Sequence, residues 1–105
     1  MKVALVSLTL LVGCANGPSY PFCHGANSFP GLTLRPLREL PVGIVADLTR
    51  YKEPKLEGWY QGRSKAVVLL FVTVGAQRQY REITYNYSGS EYVLQQDWEI
   101  ACNQD

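Results

Sequence analysis

The sequence predicts a small all-β domain. It would be an antiparallel meander of about five strands, curled into a barrel or folded as a sandwich, with an irregular proline-rich segment in front and one disulfide closing it. Three observations predict this class. Runs with period-two alternation follow one another from residue 42 onward, glycine and serine mark the short connections, and no segment has helical periodicity beyond two turns. The 105 residues suffice for one domain.

The first three predicted strands cover residues 42–49, 56–61 and 65–74. In the first, Val42, Ile44, Ala46 and Leu48 recur at every second position, which is typical of a half-buried strand. The third is apolar at odd and even positions alike, and this pattern indicates a central strand covered on both faces.

The last two predicted strands, 79–87 and 92–102, are joined by a tight turn at residues 88–90. In the final strand one face is apolar apart from Gln96, and the other is mostly polar. We expect Gln96 to bond backbone groups or water, with contact to a ligand in a small cavity as the alternative. The apolar face consists of Leu94, Trp98, Ile100 and Cys102.

The segment before the strands, residues 15–42, contains five prolines and is predicted to be irregular. One exception is expected in it. Proline is favoured at the first position of a helix, so residues 36–40 are predicted to form a single helical turn that Pro41 ends.

The N-terminus has the features of a secretory signal. Lys2 precedes an apolar run over residues 3–12, which is too short to span a bilayer. The run ends in Leu11-Val12-Gly13-Cys14, which resembles a bacterial lipobox. That resemblance implies cleavage before Cys14, acylation of its thiol and new amino group (palmitate included), and anchoring in the cell envelope. In Gram-negative lipoproteins Asp in the next position retains the protein in the inner membrane, so Ala15 favours the outer membrane.

Ordinary signal cleavage is the alternative. Small residues at positions suited to cleavage would give a mature chain that starts at Asn16 or Pro18 and lacks Cys14. That chain would be a freely secreted protein.

Both alternatives leave Cys23 and Cys102, one near each end of the mature chain. Export places them in an oxidising compartment, which favours a disulfide between them over two free thiols that bind metal. The predicted organisation is a signal peptide over residues 1–13, a lipidated Cys14 with a tether to residue 22, and a single β-domain over 23–105.

Charge excludes one class of partner. Ten Lys/Arg against nine Asp/Glu give +1, and loss of Lys2 with the signal peptide leaves zero. A nucleic-acid-binding domain would be strongly basic, so we do not expect this protein to bind nucleic acid. The split is uneven, since residues 66–105 hold two basic and five acidic side chains.

Candidate catalytic groups have simpler explanations. His24 is beside Cys23, whereas a catalytic pair usually comes from distant segments. The stretch Gly58–Lys65 resembles a phosphate loop only loosely and lies between two predicted strands. Asp97 and Glu99 point to one side of a strand, where solvated carboxylates are expected. We therefore expect no enzymatic activity, cofactor or metal site.

Aromatic residues are the candidate contact residues. Exposed Tyr and Trp are favoured at protein interfaces, while cross-strand packing also favours aromatics and is slightly preferred here. The candidates are Trp59, Tyr80, Tyr85, Tyr87 and Tyr92. The expected function is a lipid-anchored envelope protein that binds or inhibits an envelope or extracellular protein partner. Alternatives are a secreted inhibitor, toxin or effector and a structural accessory of an envelope complex. The oligomeric state stays open.

Overall fold

The computed structural model describes residues 16–102 and contains one curled, six-stranded sheet that forms half a barrel. The strand order is β1-β6-β5-β4-β3-β2. All neighbours are antiparallel except β1 and β6, which are parallel. The strands are β1 (Ser19–Tyr20), β2 (Thr33–Arg35), β3 (Lys55–Gln61), β4 (Lys65–Val74), β5 (Gln77–Tyr87) and β6 (Tyr92–Cys102). The predicted all-β meander with one disulfide is confirmed.

The central strand β4 has a hydrophobic cluster on each of its faces, as its doubly apolar sequence predicts. On one side of the sheet, which a helix covers, Val68 and Leu70 are buried, and we call this side the helix face. On the other side, which a loop segment covers, Val67 and Leu69 are buried, and we call this side the loop face. Residues 20–32 cover the loop face through Tyr20, Phe29 and Leu32.

The helix face is covered by a helix that the sequence does not predict. Residues 42–49 do not form a strand. They form the helix α1 (Val42–Leu48), which begins after Pro41 and has Thr49 as its C-cap. The period-two pattern is misleading here: Ile44 and Leu48 are two alternation steps apart, and they are also one helical turn apart. Both are buried against the sheet, whereas Val42 is 83% exposed. A 3₁₀ turn at Leu37–Glu39 precedes α1, confirming the predicted single turn.

The sheet includes more of the N-terminal segment than the sequence predicts. Residues up to 22 are expected to be a tether, yet β1 pairs Ser19 with Ala101 and Tyr20 with Cys102. The Gly17 N–H also donates to the Glu99 carbonyl (2.6 Å). The short parallel pairing is missed because two residues carry no periodicity. Cys14 itself lies outside the described residues.

The disulfide joins Cys23 to Cys102, as predicted. The two residues are 79 positions apart in sequence, and their Cα atoms are 5.1 Å apart. Cys23 is 2% exposed. The bond therefore fastens the covering segment to the end of β6 and closes most of the described chain into one loop.

A bulge changes the predicted faces of β6. Thr84 pairs with Gln96, but the next residue of β5, Tyr85, pairs with Leu94, so Gln95 is the extra residue. Leu94 consequently shares the helix face with Tyr85, while Trp98 lies on the loop face. The prediction that Leu94 and Trp98 share one face is wrong for this reason.

Candidate protein-binding surface

The five aromatic residues predicted to contact a partner are not brought together. Trp59 and Tyr85 are each 1% exposed, so neither is available to a partner. Tyr80 is half-buried on the loop face and stacks on Phe71, with ring centroids 4.2 Å apart. Only Tyr87 and Tyr92 lie together, with ring centroids 4.7 Å apart.

Trp59 and Tyr85 are core residues with hydrogen-bonded polar ends. The Trp59 indole N–H donates to the Pro36 carbonyl (2.8 Å), and the Tyr85 hydroxyl donates to Asp47 Oδ2 (2.6 Å). Each aromatic ring packs in the helix-face cluster, while its polar atom forms a hydrogen bond to a segment that covers the sheet. The expectation that these two residues bind a partner is therefore wrong, and cross-strand packing accounts for them.

The remaining tyrosines lie where the β5–β6 hairpin meets the start of α1. Tyr87 is 39% exposed, and the Tyr92 hydroxyl accepts from Gln61 Nε2 (3.2 Å). Together they line one side of an open cavity of about 430 Å³. Its other lining residues are Pro41, Gly43, Ser90 and Glu91. The cavity thus separates the hairpin from the first turn of the helix.

A second, apolar cavity of about 290 Å³ lies between α1 and β3. Val45 lines it and is 47% exposed, while Val42 projects from the top of the helix. The other lining residues are Leu40, Leu48, Thr49, Tyr51, Pro54 and Leu56. A ridge with exposed valines between two depressions is a shape suited to a protein partner, because apolar side chains can enter on both sides. We call Val42, Val45, Tyr51, Tyr87 and Tyr92 the α1 surface.

The C-terminal end of α1 is fastened to the sheet by ion pairs centred on Asp97. Arg50 Nη1 lies 2.6 Å from Asp97 Oδ2, and Arg50 Nη2 lies 3.0 Å from Asp47 Oδ2. Arg81 Nε donates to Asp97 Oδ1 (2.7 Å), and the Tyr51 hydroxyl donates to Oδ2 (2.5 Å). A surface held by such a network loses little conformational entropy when a partner binds.

Asp97 is not the solvated carboxylate that its position in the sequence suggests. Its side chain is only 12% exposed. Burial alone would raise the pKa of Asp97, but hydrogen bonds from Tyr51, Arg81 and Arg50 outweigh it and hold that pKa below its ordinary value. Gln96 keeps its predicted face, together with Trp98 and Ile100 on the loop face of the sheet, but its side chain is exposed and is therefore not a buried polar group.

Two other groups of this network, Asp47 and Tyr85, also have shifted pKa values. Burial, opposed and outweighed by hydrogen bonds from Arg50 and Tyr85, leaves the pKa of Asp47 below its ordinary value. Burial and the bond to Asp47 raise the pKa of Tyr85. At neutral pH the carboxylates are charged and the phenol is neutral. These shifts hold the network in one protonation state and favour a structural role for it.

The loop face contains a buried carboxylate that the sequence does not predict. Glu82 is 7% exposed and accepts from the Tyr20 hydroxyl (2.5 Å) and the Trp98 indole N–H (2.7 Å). The sequence gives no signal for this, because Tyr20 arrives through the short strand β1. The two bonds tie the N-terminal segment to β5 and β6, and desolvation with its bond to Glu82 raises the pKa of Tyr20.

The catalytic candidates that the sequence disfavours are not assembled into a site. Cys23 is in the disulfide, and His24 is an exposed loop residue whose ring lies 6.4 Å from that of Phe22. The stretch Gly58–Lys65 runs from β3 into β4, so no helix follows it. Within residues 16–102, no group of three His, Cys, Asp or Glu side chains is arranged to hold a metal ion. No helix in this range is long and apolar enough to cross a membrane.

Comparison with known proteins finds no matching family model, and no curated protein or solved structure that is significantly similar.

Proposed function

We propose that this protein is a small lipoprotein of the bacterial cell envelope that binds a protein partner through the α1 surface and catalyses no reaction. The observation that carries the binding role is the exposure of Val42 and Val45, at 83% and 47%, on a helix whose opposite side is buried. Leaving this much apolar surface in water has a cost, and a contiguous patch of it is typical of an interface.

The lipobox-like Leu11-Val12-Gly13-Cys14 supports the anchored location. Only two residues separate Cys14 from Gly17, whose N–H bonds to Glu99. Three extended residues span at most about 11 Å. A lipid on Cys14 would therefore hold the domain against the membrane surface, and the partner would be a protein reachable there.

Intact mass of the N-terminal peptide tests the anchor. The full chain is expressed in a Gram-negative host beside a Cys14→Ser control, and both are recovered from membrane and soluble fractions. We expect an acylated peptide starting at Cys14 in the membrane fraction, with Cys14→Ser unacylated. An unmodified start at Asn16 or Pro18 would contradict the proposal and favour a secreted protein.

Crosslinking in the intact envelope tests the binding role. A partner-binding protein gives one defined adduct, whose yield falls when Val42→Asp replaces an exposed valine without disturbing the core. Adducts distributed over many envelope proteins, unchanged by Val42→Asp, would contradict the role assigned to the α1 surface.

A further inference from the structure

Within residues 16–102, the outer edge of β6 is covered over only a small part of its length. β5 lies on one side of β6, and on the other side β1 pairs with Ala101 and Cys102 alone. Gly17 adds one bond, to the Glu99 carbonyl. Among the residues that the structure describes, no strand lies beside β6 between Tyr92 and Trp98.

The backbone N–H and C=O groups of alternate residues at the start of β6 point outward, away from β5. The Ser88 N–H donates to the Glu91 carbonyl (2.9 Å), and the Tyr87 N–H donates towards β4, to Ser64 (2.9 Å). Tyr87 and Tyr92 are therefore a non-hydrogen-bonded pair. The pattern repeats two residues later, so Leu94 and Tyr92 both direct their N–H and C=O groups outward.

The side chains along the edge do not block it. Val93 and Leu94 are 49% and 43% exposed, and Gln95 and Gln96 are exposed. Proteins usually protect such edges with lysine, proline or a covering segment. Residues 82–105 contain no lysine, arginine or proline. The bulge at Gln95 limits straight pairing mainly to Tyr92–Leu94 and requires an added strand to bend there.

Charge indicates which kind of strand fits. Glu91 is exposed beside the pairing stretch, Asp97 is neutralised by Arg50 and Arg81, and residues 82–105 contain no lysine or arginine. A symmetric antiparallel pairing of two copies over Tyr92–Leu94 is centred on Val93 and places Glu91 opposite Gln95. A second copy therefore offers Glu91 no opposite charge, whereas a segment with basic side chains does.

We infer that the outer edge of β6 binds an extended segment of a partner protein as an added strand, with a lysine or arginine side chain of that segment beside Glu91. Main-chain bonds to Tyr92 and Leu94 supply affinity, and the charges supply selectivity. This site shares Tyr92 with the α1 surface but uses its backbone groups, and the inference holds whether or not Cys14 is lipidated.

Amide hydrogen exchange on the full chain tests the inference with synthetic peptides. The probe alternates valine and lysine. One control replaces lysine with glutamate, and a second carries N-methyl groups on the pairing edge. We expect the lysine peptide to slow exchange at Tyr92 and Leu94 by about tenfold or more, and both controls to have little effect. Equal protection by all three peptides would overturn the inference, as would protection already present without peptide.

A matched pair of variants separates backbone from side chain. Leu94→Pro removes an outward N–H without removing a bond to β5, and Leu94→Ala keeps that N–H. We expect Leu94→Pro to weaken lysine-peptide binding by about tenfold, and Leu94→Ala by less than about threefold. Equal losses would overturn the inference. If Leu94→Pro fails to fold, the N-methylated peptide decides the question.

Discussion

Arg50, just after the end of α1, forms an ion pair with Asp97 in β6, with 2.6 Å between Nη1 and Oδ2. The two residues are 47 positions apart, and Asp97 also accepts from Arg81 and Tyr51. The carboxylate thereby joins the segment just after the helix to two strands. It is the polar counterpart of the apolar packing by Ile44 and Leu48, and it fixes the position of the α1 surface.

Asp97→Asn should destabilise the fold and reduce its sensitivity to acid. Hydrogen bonds to a charged group contribute about 1–3 kcal/mol, so the free energy of unfolding at pH 7 should fall by that amount. The pKa of Asp97 is lowered in the folded state. Its contribution is therefore complete above the ordinary carboxyl pKa of about 4 and is lost as the pH falls through the lowered value. Urea unfolding at pH 7 and pH 3 measures both effects.

Glu99→Gln is the control, because it removes a carboxylate from the same face of the same strand, two residues further on. It should change the free energy of unfolding at pH 7 by less than Asp97→Asn does. If both variants lose the same stability and retain the same dependence on pH, the role given to Asp97 is wrong.

Ile44→Ala and Val42→Ala should have very different effects on stability. Ile44 is fully buried in the helix-face cluster, so its truncation leaves a cavity and should cost about 2–5 kcal/mol. Val42 is 83% exposed, and its truncation should change stability by no more than about 0.5 kcal/mol. Thermal or urea unfolding measures the difference. Similar losses at both positions would instead fit a strand with Val42 and Ile44 on one buried face.

Removing the disulfide should cost a large fraction of the total stability. A loop closed over 79 residues of sequence separation stabilises a domain by about 4.5 kcal/mol in the chain-entropy description. Cys23→Ser combined with Cys102→Ser should therefore lower the urea midpoint strongly or leave the domain unfolded at 37 °C. Reduction of the native protein is the control and should have the same effect. A double variant as stable as the oxidised protein would contradict this account.

The alternation of apolar and polar residues in the sequence predicts the strands, because neighbouring residues along the chain largely determine those elements. The runs of residues that form β3, β4, β5 and β6, with the hairpin turn at Gly89 (φ 98°), are visible in the sequence. The helix α1 is not, because its buried positions satisfy both periods and tertiary packing chooses between them. The bulge at Gln95 leaves no signal either, so the faces of Leu94 and Trp98 cannot be read from alternation.

The candidate surface is harder to predict than the strands, since it depends on contacts between distant segments. Trp59 and Tyr85 have the composition of contact residues but fill the core, whereas Val42 and Val45 resemble core residues but are exposed. Only the placement of α1 across the sheet distinguishes them. The network around Asp97 is unpredictable for the same reason, because its partners come from three different segments.

Site-specific photocrosslinking in the intact envelope tests the proposed binding role most directly. A photoreactive residue is placed at Val42, and in a control at Ala76, an exposed turn residue at the far end of β4 and β5. The proposed binding role predicts one discrete protein adduct from position 42, none from position 76, and a marked loss of the adduct when Val45→Asp is added. Absence of any adduct from position 42, or equal adducts from both positions that Val45→Asp leaves unchanged, would contradict it.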